Sequence, residues 1–119
     1  MKERKRNLIE QKSFDFALEM INLYQKLKAN REFEIGKQLL RSGTSIGANV
    51  SEALAGQSRK DFISKMSIAS KEARETRYWL ELLQESRLID HDFTAHLKRC
   101  EEIVRIVTAI VKTAQGNDR

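Results

Sequence analysis

The stretch that decides the fold covers residues 31–55 and reads REFEIGKQLLRSGTSIGANVSEALA. Apolar residues and glycines alternate along it at intervals of three and four, which is the seam of a helix in a bundle. The seam residues are Phe33, Gly36, Leu40, Gly43, Gly47, Val50 and Leu54. A glycine inside a helix costs about 1 kcal/mol relative to alanine. Three glycines on one seam therefore indicate that a second helix approaches closely at Gly36, Gly43 and Gly47.

The same spacing predicts three further helices. The first covers residues 13–28 with Ser13 as its N-cap, and Asn30 caps the helix over residues 31–55. The third covers residues 58–86, because Ser58 and Asp61 have the form of a capping box. The fourth begins after residue 90 or 92 and runs to about residue 114, with Gly116 as its stop.

Composition supports one small helical domain. The chain has 119 residues, no proline and five glycines, so few residues break helices. Four helices joined by short connections predict an all-α, antiparallel up-down-up-down bundle. Residues 1–12 are predicted to be a basic flexible arm, residues 13–115 the bundle and residues 116–119 a short tail. There is no uncharged apolar run long enough for a transmembrane helix.

An uncharged segment, SGTSIGANVS, occupies residues 42–51 of a chain that is 33% charged. Ser42, Ser45 and Asn49 share one helix face, where a solvent-exposed helix would normally carry charges. Small neutral side chains suit close contact and hydrogen bonding between helices. A catalytic serine would need a nearby base, and there is no histidine in this part of the sequence. The segment therefore predicts a packing surface.

Apolar residues outside the seams predict self-association. The first and fourth helices carry two neighbouring apolar stripes each, which is more than one partner helix can cover. On the third helix, Ile68, Trp79 and Leu82 lie off the seam. Apolar patches of this size are a solubility liability in a monomer, so a homo-oligomer is expected.

The excess of positive charge lies in the first half of the chain. Residues 1–60 hold 12 Lys+Arg and 7 Asp+Glu, whereas residues 61–119 hold 10 of each. The predicted arm contains Lys2, Arg4, Lys5 and Arg6, and one outward sector of the third helix contains Arg59, Lys60, Lys71, Arg74 and Arg77. Such a surface can bind nucleic-acid phosphates. It can also be a solvated face on which basic residues pair with acids one turn away.

No enzyme or cofactor motif is present. A single cysteine excludes a cysteine-rich zinc site. His91 and His96 lie about 140° apart on a helix and would be poor metal ligands together, while His96 and Cys100 lack further ligands at suitable spacing. Glu72 and Glu75 could act as acid and base, although ion pairing is the commoner role of such a pair. We therefore expect no enzymatic activity, no metal and no cofactor.

The residues discussed above also carry a family resemblance. Residues 41–83 resemble the four-helix-bundle family of proteins encoded in intervening sequences of bacterial large-subunit ribosomal RNA, and the register fits over residues 13–114. The matching residues are Arg41, Ser42, Ser45, Ile46, Asn49, Glu52, Lys60, Asp61, Phe62, Ala69, Glu72, Glu75 and Thr76. The resemblance implies a ring-like homopentamer. A related branch comprises accessory proteins of diversity-generating retroelements, which contact a reverse transcriptase and nucleic acid.

Together these observations predict a cytoplasmic, non-enzymatic homo-oligomer that binds RNA or DNA through basic surfaces. Its expected partners are further copies of itself, a nucleic acid and a larger protein such as a reverse transcriptase, with no role for a membrane. The alternative is a protein–protein scaffold without a nucleic-acid role.

Overall fold

Four α-helices make up the computed structural model, which describes residues 5–116. They are α1 (Leu8–Ala29), α2 (Phe33–Leu54), α3 (Arg59–Ser86) and α4 (Thr94–Gly116). No strand occurs within residues 5–116, so the predicted all-α four-helix bundle is confirmed. None of these helices combines the length and the hydrophobicity that crossing a bilayer requires.

Each helix packs against its neighbours in the sequence, and α4 also reaches α1 along a less extensive contact. Gly36, near the start of α2, lies beside Leu27 at the end of α1, whereas Gly47, late in α2, lies beside Ser13, early in α1. This order is the one that an antiparallel pair requires. The hydrogen bonds and ion pairs between α2 and α3, α3 and α4, and α1 and α4 follow the same reversed order.

The glycines of α2 face α1. A Cβ atom added at Gly43 would lie 2.5 Å from Cγ of Met20, and one added at Gly47 would lie 3.2 Å from the backbone oxygen of Ser13. At Gly36 the corresponding contact, with Leu27, is an ordinary 3.4 Å. The seam glycines therefore let α1 approach most closely at Gly43 and Gly47.

The buried face of α2 is wider than the predicted seam. Phe33 and Leu54, at the two ends of that seam, are exposed. Leu39, Ile46 and Ala53, which lie outside it, are buried. The reason is that α2 packs against both α1 and α3. Its buried surface therefore includes the glycine seam, which faces α1, and the neighbouring apolar residues on the side of α3.

Helix α1 begins earlier than predicted, at Leu8 rather than Ser13. Asn7 is the N-cap. Its side chain accepts a hydrogen bond from the backbone N–H of Glu10 at 2.9 Å, and the side chain of Glu10 accepts one from the backbone N–H of Asn7. The prediction that Ser13 caps the helix is therefore wrong. Ser13 is buried, and its hydroxyl donates to the carbonyl of Glu10. Residues 8–12 belong to α1 rather than to an arm.

The α1–α2 connection also differs from the prediction. Asn30 does not cap α2; it ends α1, and its side chain donates to the carbonyl of Lys26 at 2.8 Å. The next residue, Arg31, has a left-handed φ of 63°. The backbone N–H of Glu32 then reaches back to the carbonyl of Leu27, which is the Schellman pattern of a helix end. Glycine usually occupies the position that Arg31 holds, so the sequence signal for this turn was absent.

The other two connections begin and end close to the predicted residues. Ser58 caps α3 by accepting a hydrogen bond from the backbone N–H of Asp61 at 3.1 Å, and α3 ends at Ser86 as predicted. Asp92 accepts hydrogen bonds from the backbone N–H and the hydroxyl of Thr94, where α4 begins. Buried Phe93 and Ile89 anchor the α3–α4 connection in the core.

Replacing Gly47 with leucine tests the close packing of α2 on α1. The new side chain must displace the backbone of α1 at Ser13, so we expect the free energy of unfolding to fall by about 1–3 kcal/mol. Urea denaturation measures this change. Gly116→Leu is the control, because an added Cβ there meets no atom within 4 Å. A Gly47→Leu variant as stable as the wild type would contradict this account of the seam.

Candidate functional site

The basic residues predicted on the third helix differ in their ion pairing. Lys60, Lys71 and Arg74 are exposed, and within residues 5–116 no carboxylate forms an ion pair with any of them. Arg77 is half-buried and pairs with Glu81 one turn further along, at 3.8 Å. The two interpretations of these basic residues, phosphate binding and pairing with acids, therefore apply to different residues. Arg77 has an acidic partner, whereas the charges of Lys60, Lys71 and Arg74 are open to solvent.

Helix α4 extends this basic surface. Arg74 donates to the hydroxyl of Thr108 at 3.1 Å, which brings the two helices together at this level. Arg105 and Lys112 lie one helical turn on either side of Thr108, and both are exposed. Sequence reasoning missed these two cations. Their spacing places them on one face of α4, but only the pairing of α3 with α4 shows that this face adjoins Arg74.

Arg6, from the predicted arm, does not lie on the same surface. It lies 3.9 Å above the ring of Phe14, beside the groove between α1 and α2. Lys2 and Arg4 lie outside the described residues, and Lys5 is exposed ahead of α1. Phosphate contacts at Arg6 and at the α3–α4 surface would therefore involve different faces of the bundle.

The small polar residues of α2 face α3. Ser42 is fully buried, and its hydroxyl accepts a hydrogen bond from the hydroxyl of Thr76 at 3.0 Å. Ser45 and Asn49 donate to carbonyls of their own helix at 2.6 Å and 2.8 Å. Of these three polar residues, Ser42 thus makes the hydrogen bond between α2 and α3, whereas Ser45 and Asn49 bond within α2.

Glu72 and Glu75 form ion pairs with a residue of α2. Arg41 contacts Glu72 at 3.1 Å and also donates to Glu75. Glu75 additionally accepts a hydrogen bond from the indole N–H of Trp79 at 3.1 Å. This cluster ties the edge of α3 to α2, and the side chain of Arg41 remains half exposed above it.

Besides Phe33 and Leu54 at the ends of α2, apolar side chains remain exposed on α3 and α1. On α3, Ile68 and Leu82 are exposed on either side of half-buried Trp79. On α1, the exposed residues are Leu8, Phe14, Leu18 and Ile21. The second stripe of α4 differs from the prediction: Ile103 is buried and Ile106 and Ile110 pack against the core. The bundle itself thus covers the isoleucines of α4 but leaves Phe14 and Ile21 of α1 exposed.

Neither the cysteine nor the histidines form a metal site in the described part of the chain, where no group of three or more suitable ligands occurs. Cys100 is buried, its thiol donates to the carbonyl of Ala73, and burial raises its pKa to about 12. The interpretation of the histidines as far apart is wrong. His91 precedes α4 instead of lying on it, and its Nε2 atom comes within 2.9 Å of Nε2 of His96.

Replacing Thr76 with valine tests the polar contact between α2 and α3. The change keeps the shape of the side chain and removes the hydroxyl that reaches Ser42, so we expect unfolding to require about 0.5–1.5 kcal/mol less free energy. Urea denaturation is the measurement, and Thr113→Val, at an exposed position of α4, is the control. Equal stability of the Thr76 variant and the wild type would show that this hydrogen bond contributes nothing.

The fold agrees with comparisons to known proteins. The family model described as 23S rRNA-intervening sequence protein matches residues 5–109. A crystal structure of a protein of unknown function from the S23 ribosomal protein family of Bacteroides thetaiotaomicron is 45% identical, with a TM-score of 0.84 over 88% of this chain and 99% of that one. No curated protein sequence matches the chain. Since the family model spans most of the sequence, this chain belongs to the 23S rRNA-intervening sequence protein family.

Proposed function

We propose that this chain is a non-enzymatic, cytoplasmic, homo-oligomeric bundle that binds nucleic acid through the basic surface of α3 and α4. The observation that supports this most is the clustering of cations there, since Lys71 and Arg74 on α3 adjoin Arg105 and Lys112 on α4. Within residues 5–116 no carboxylate forms an ion pair with any of these four, whereas Lys12, Lys65 and Arg99 pair with Glu102, Glu52 and Glu19. A surface that leaves its cations open to solvent suits a polyanionic partner.

The composition of this surface favours contact with the phosphate backbone. Tyr78 is exposed, but its ring packs edge-on against Trp79, with 5.3 Å between ring centroids. Between α3 and α4 the surface also presents the hydroxyls of Ser70 and Thr108, and hydroxyl groups and cations contact phosphates rather than stack on bases. We therefore expect binding with little sequence preference. RNA is the first nucleic acid to test, since the family name refers to an intervening sequence of 23S rRNA.

Assembly is the second part of the proposal. The apolar residues that stay exposed on α1 and on α3 would be covered by further copies of the chain, and a ring-like homopentamer is the assembly that the family resemblance implies. In a closed ring the basic surface of each protomer is repeated, so several phosphate contacts act together. This multiplies the affinity of a patch that is small in one protomer.

A protein–protein scaffold is the alternative function. The observation that favours it is the apolar strip Ile68, Trp79 and Leu82 beside the half-exposed Arg41, because aromatic and arginine side chains are enriched in protein interfaces. A larger enzyme such as a reverse transcriptase would be a suitable partner for such a strip.

Charge reversal on the α3–α4 surface tests nucleic-acid binding. In the variant Lys71→Glu, Arg74→Glu, Arg105→Glu, we expect weaker binding to every RNA and DNA sequence. The salt dependence, as the slope of log affinity against log salt, should fall in magnitude by about 2–3, because each lost phosphate contact removes about 0.7–0.9. Fluorescence anisotropy of labelled RNA and DNA at two salt concentrations measures both quantities.

A matched variant separates this surface from overall charge. Lys28→Glu, Arg31→Glu, Lys37→Glu makes the same change in net charge at exposed positions around the α1–α2 connection, and it should keep most of the affinity. If both variants lose binding equally, the α3–α4 surface is not the site. If the wild type does not bind even at low salt, the scaffold becomes the better assignment.

The single tryptophan of the chain reports on assembly. If copies of the chain cover the α3 strip, Trp79 fluorescence shifts to longer wavelength on dilution, in parallel with a fall in mass measured by light scattering. Ile68→Glu with Leu82→Glu should shift both transitions to higher protein concentration. A single-chain mass for the wild type at micromolar concentration would exclude the oligomer.

A further inference from the structure

A chain of hydrogen bonds crosses the contact between α1 and α4 and involves both histidines. Nζ of Lys26 lies 3.0 Å from Nδ1 of His91, and the two Nε2 atoms of His91 and His96 lie 2.9 Å apart. Nδ1 of His96 contacts Glu19, which Arg99 holds through two further hydrogen bonds of 2.5 Å and 2.8 Å. These hydrogen bonds thus run from α1 to the α3–α4 connection, then to the first turn of α4 and back to α1.

The end groups fix the position of every proton in this chain. A lysine ammonium can only donate, so Nδ1 of His91 accepts and the proton of His91 is on Nε2. That proton points at Nε2 of His96, which must accept, and the proton of His96 is therefore on Nδ1, where Glu19 accepts it. Both imidazoles are neutral, and each has a single allowed tautomer.

A second proton does not fit this arrangement. Protonation of His91 would place an N–H opposite the ammonium of Lys26. Protonation of His96 would place its new N–H opposite the N–H of His91, although Glu19 and Arg99 would still hold its other side. In either case one hydrogen bond of the chain becomes a contact between two donors.

Burial and the adjacent ammonium of Lys26 oppose the protonation of His91, although carboxylates also surround it. The surrounding groups are Asp15, Glu19 and Lys26 on α1, Glu85 on α3, Arg87, Asp90 and Asp92 in the connection, and Arg99 on α4. Burial, followed by the positive charge of Lys26, lowers the pKa of His91 below its usual 6.5, and Asp92 offsets this only in part. For Glu19, partial burial acts to raise the pKa, but the hydrogen bonds from His96 and Arg99 and the charge of Arg99 outweigh it and the net shift is downward.

We infer that the His91–His96 pair is a pH-sensitive latch, which holds the α3–α4 connection against α1 at neutral pH and releases it on acidification. Release is local, because Ile89 and Phe93 keep the rest of the connection in the core. The freed His91 imidazolium can turn to the carboxylates of Asp90 and Asp92. His91 and His96 line a groove of about 420 Å³ between α1 and the connection, together with Leu18, Asn22 and Leu23. The departure of His91 widens this groove.

The sign of the pH dependence follows from the lowered pKa of His91. Because the closed state binds a proton on His91 less readily than the open state, closure is strongest above pH 6.5 and is lost as the pH falls below it. The opening equilibrium constant should rise by up to about tenfold per pH unit between the pKa values of the open and closed states.

Nuclear magnetic resonance of the imidazole nitrogens tests the hydrogen-bond chain. The protein has two histidines, so His91→Gln assigns both sets of signals. At pH 7.5 we expect His91 to carry its proton on Nε2 and His96 on Nδ1. Lys26→Gln should raise the pKa of His91, and Lys28→Gln, a matched charge change on the same helix, should leave it unchanged. Unrestricted tautomers, or equal effects of the two lysine variants, would overturn the proposed chain.

Hydrogen exchange tests the release itself. After correction for intrinsic rates, protection of the amides of residues 87–93 should fall between pH 7.5 and pH 5.5 in the wild type, while that of α2 stays constant. In His91→Gln this pH dependence should disappear. If the connection loses protection to the same extent in the variant, or loses none in the wild type, the latch is refuted. Nucleic-acid binding plays no part in either measurement.

Discussion

The close approach of two helices to opposite sides of α2 determines the rest of the structure. On one side, Gly43 and Gly47 let α1 come within reach of the α2 backbone, and a single added methyl group at Gly43 would meet Met20. On the other side, buried Ser42 hydrogen-bonds to Thr76 of α3. Charged or large side chains would be excluded on both sides by the lack of space and by the cost of burying an unpaired charge. This explains why the buried positions within residues 42–51 carry no charge in a chain that is one-third charged.

Much of the fold follows from the sequence because periodicity and composition are local signals. The helices, their order and the small-residue surfaces of α2 were predictable in this way. The start of α1 was predictable too, since Asn7 and Glu10 have the spacing of a capping box that Ser13 does not satisfy. The turn at Arg31 was not, because an arginine with positive φ gives no glycine signal. Its conformation depends on the two packed helices that it joins.

The contacts of the candidate site depended on how the helices pair. The sequence shows Glu72 and Glu75 one turn apart, but it does not show that Arg41 lies across from them. Likewise, helical spacing separates His91 from His96 only if both are helical, and the start of α4 at Thr94 removes that condition. In both cases the residues could be singled out from the sequence but their contact could not. Arg41 lies on another helix, and the contact between the histidines depends on where α4 begins.

The basic surface and the histidine chain both use α4, yet they are physically separate. Arg105 and Lys112 lie on the face that adjoins α3, whereas His96 and Arg99 face α1. Between these faces the helix is fixed by buried Cys100, Val104 and Val107, which pack in the common core. Loss of one hydrogen bond at the start of α4 is too small a perturbation to shift such a core, since close-packed interiors resist continuous deformation. Opening of the α3–α4 connection is therefore expected to change the surface beside α1 while the spacing of cations along α3 and α4 stays the same.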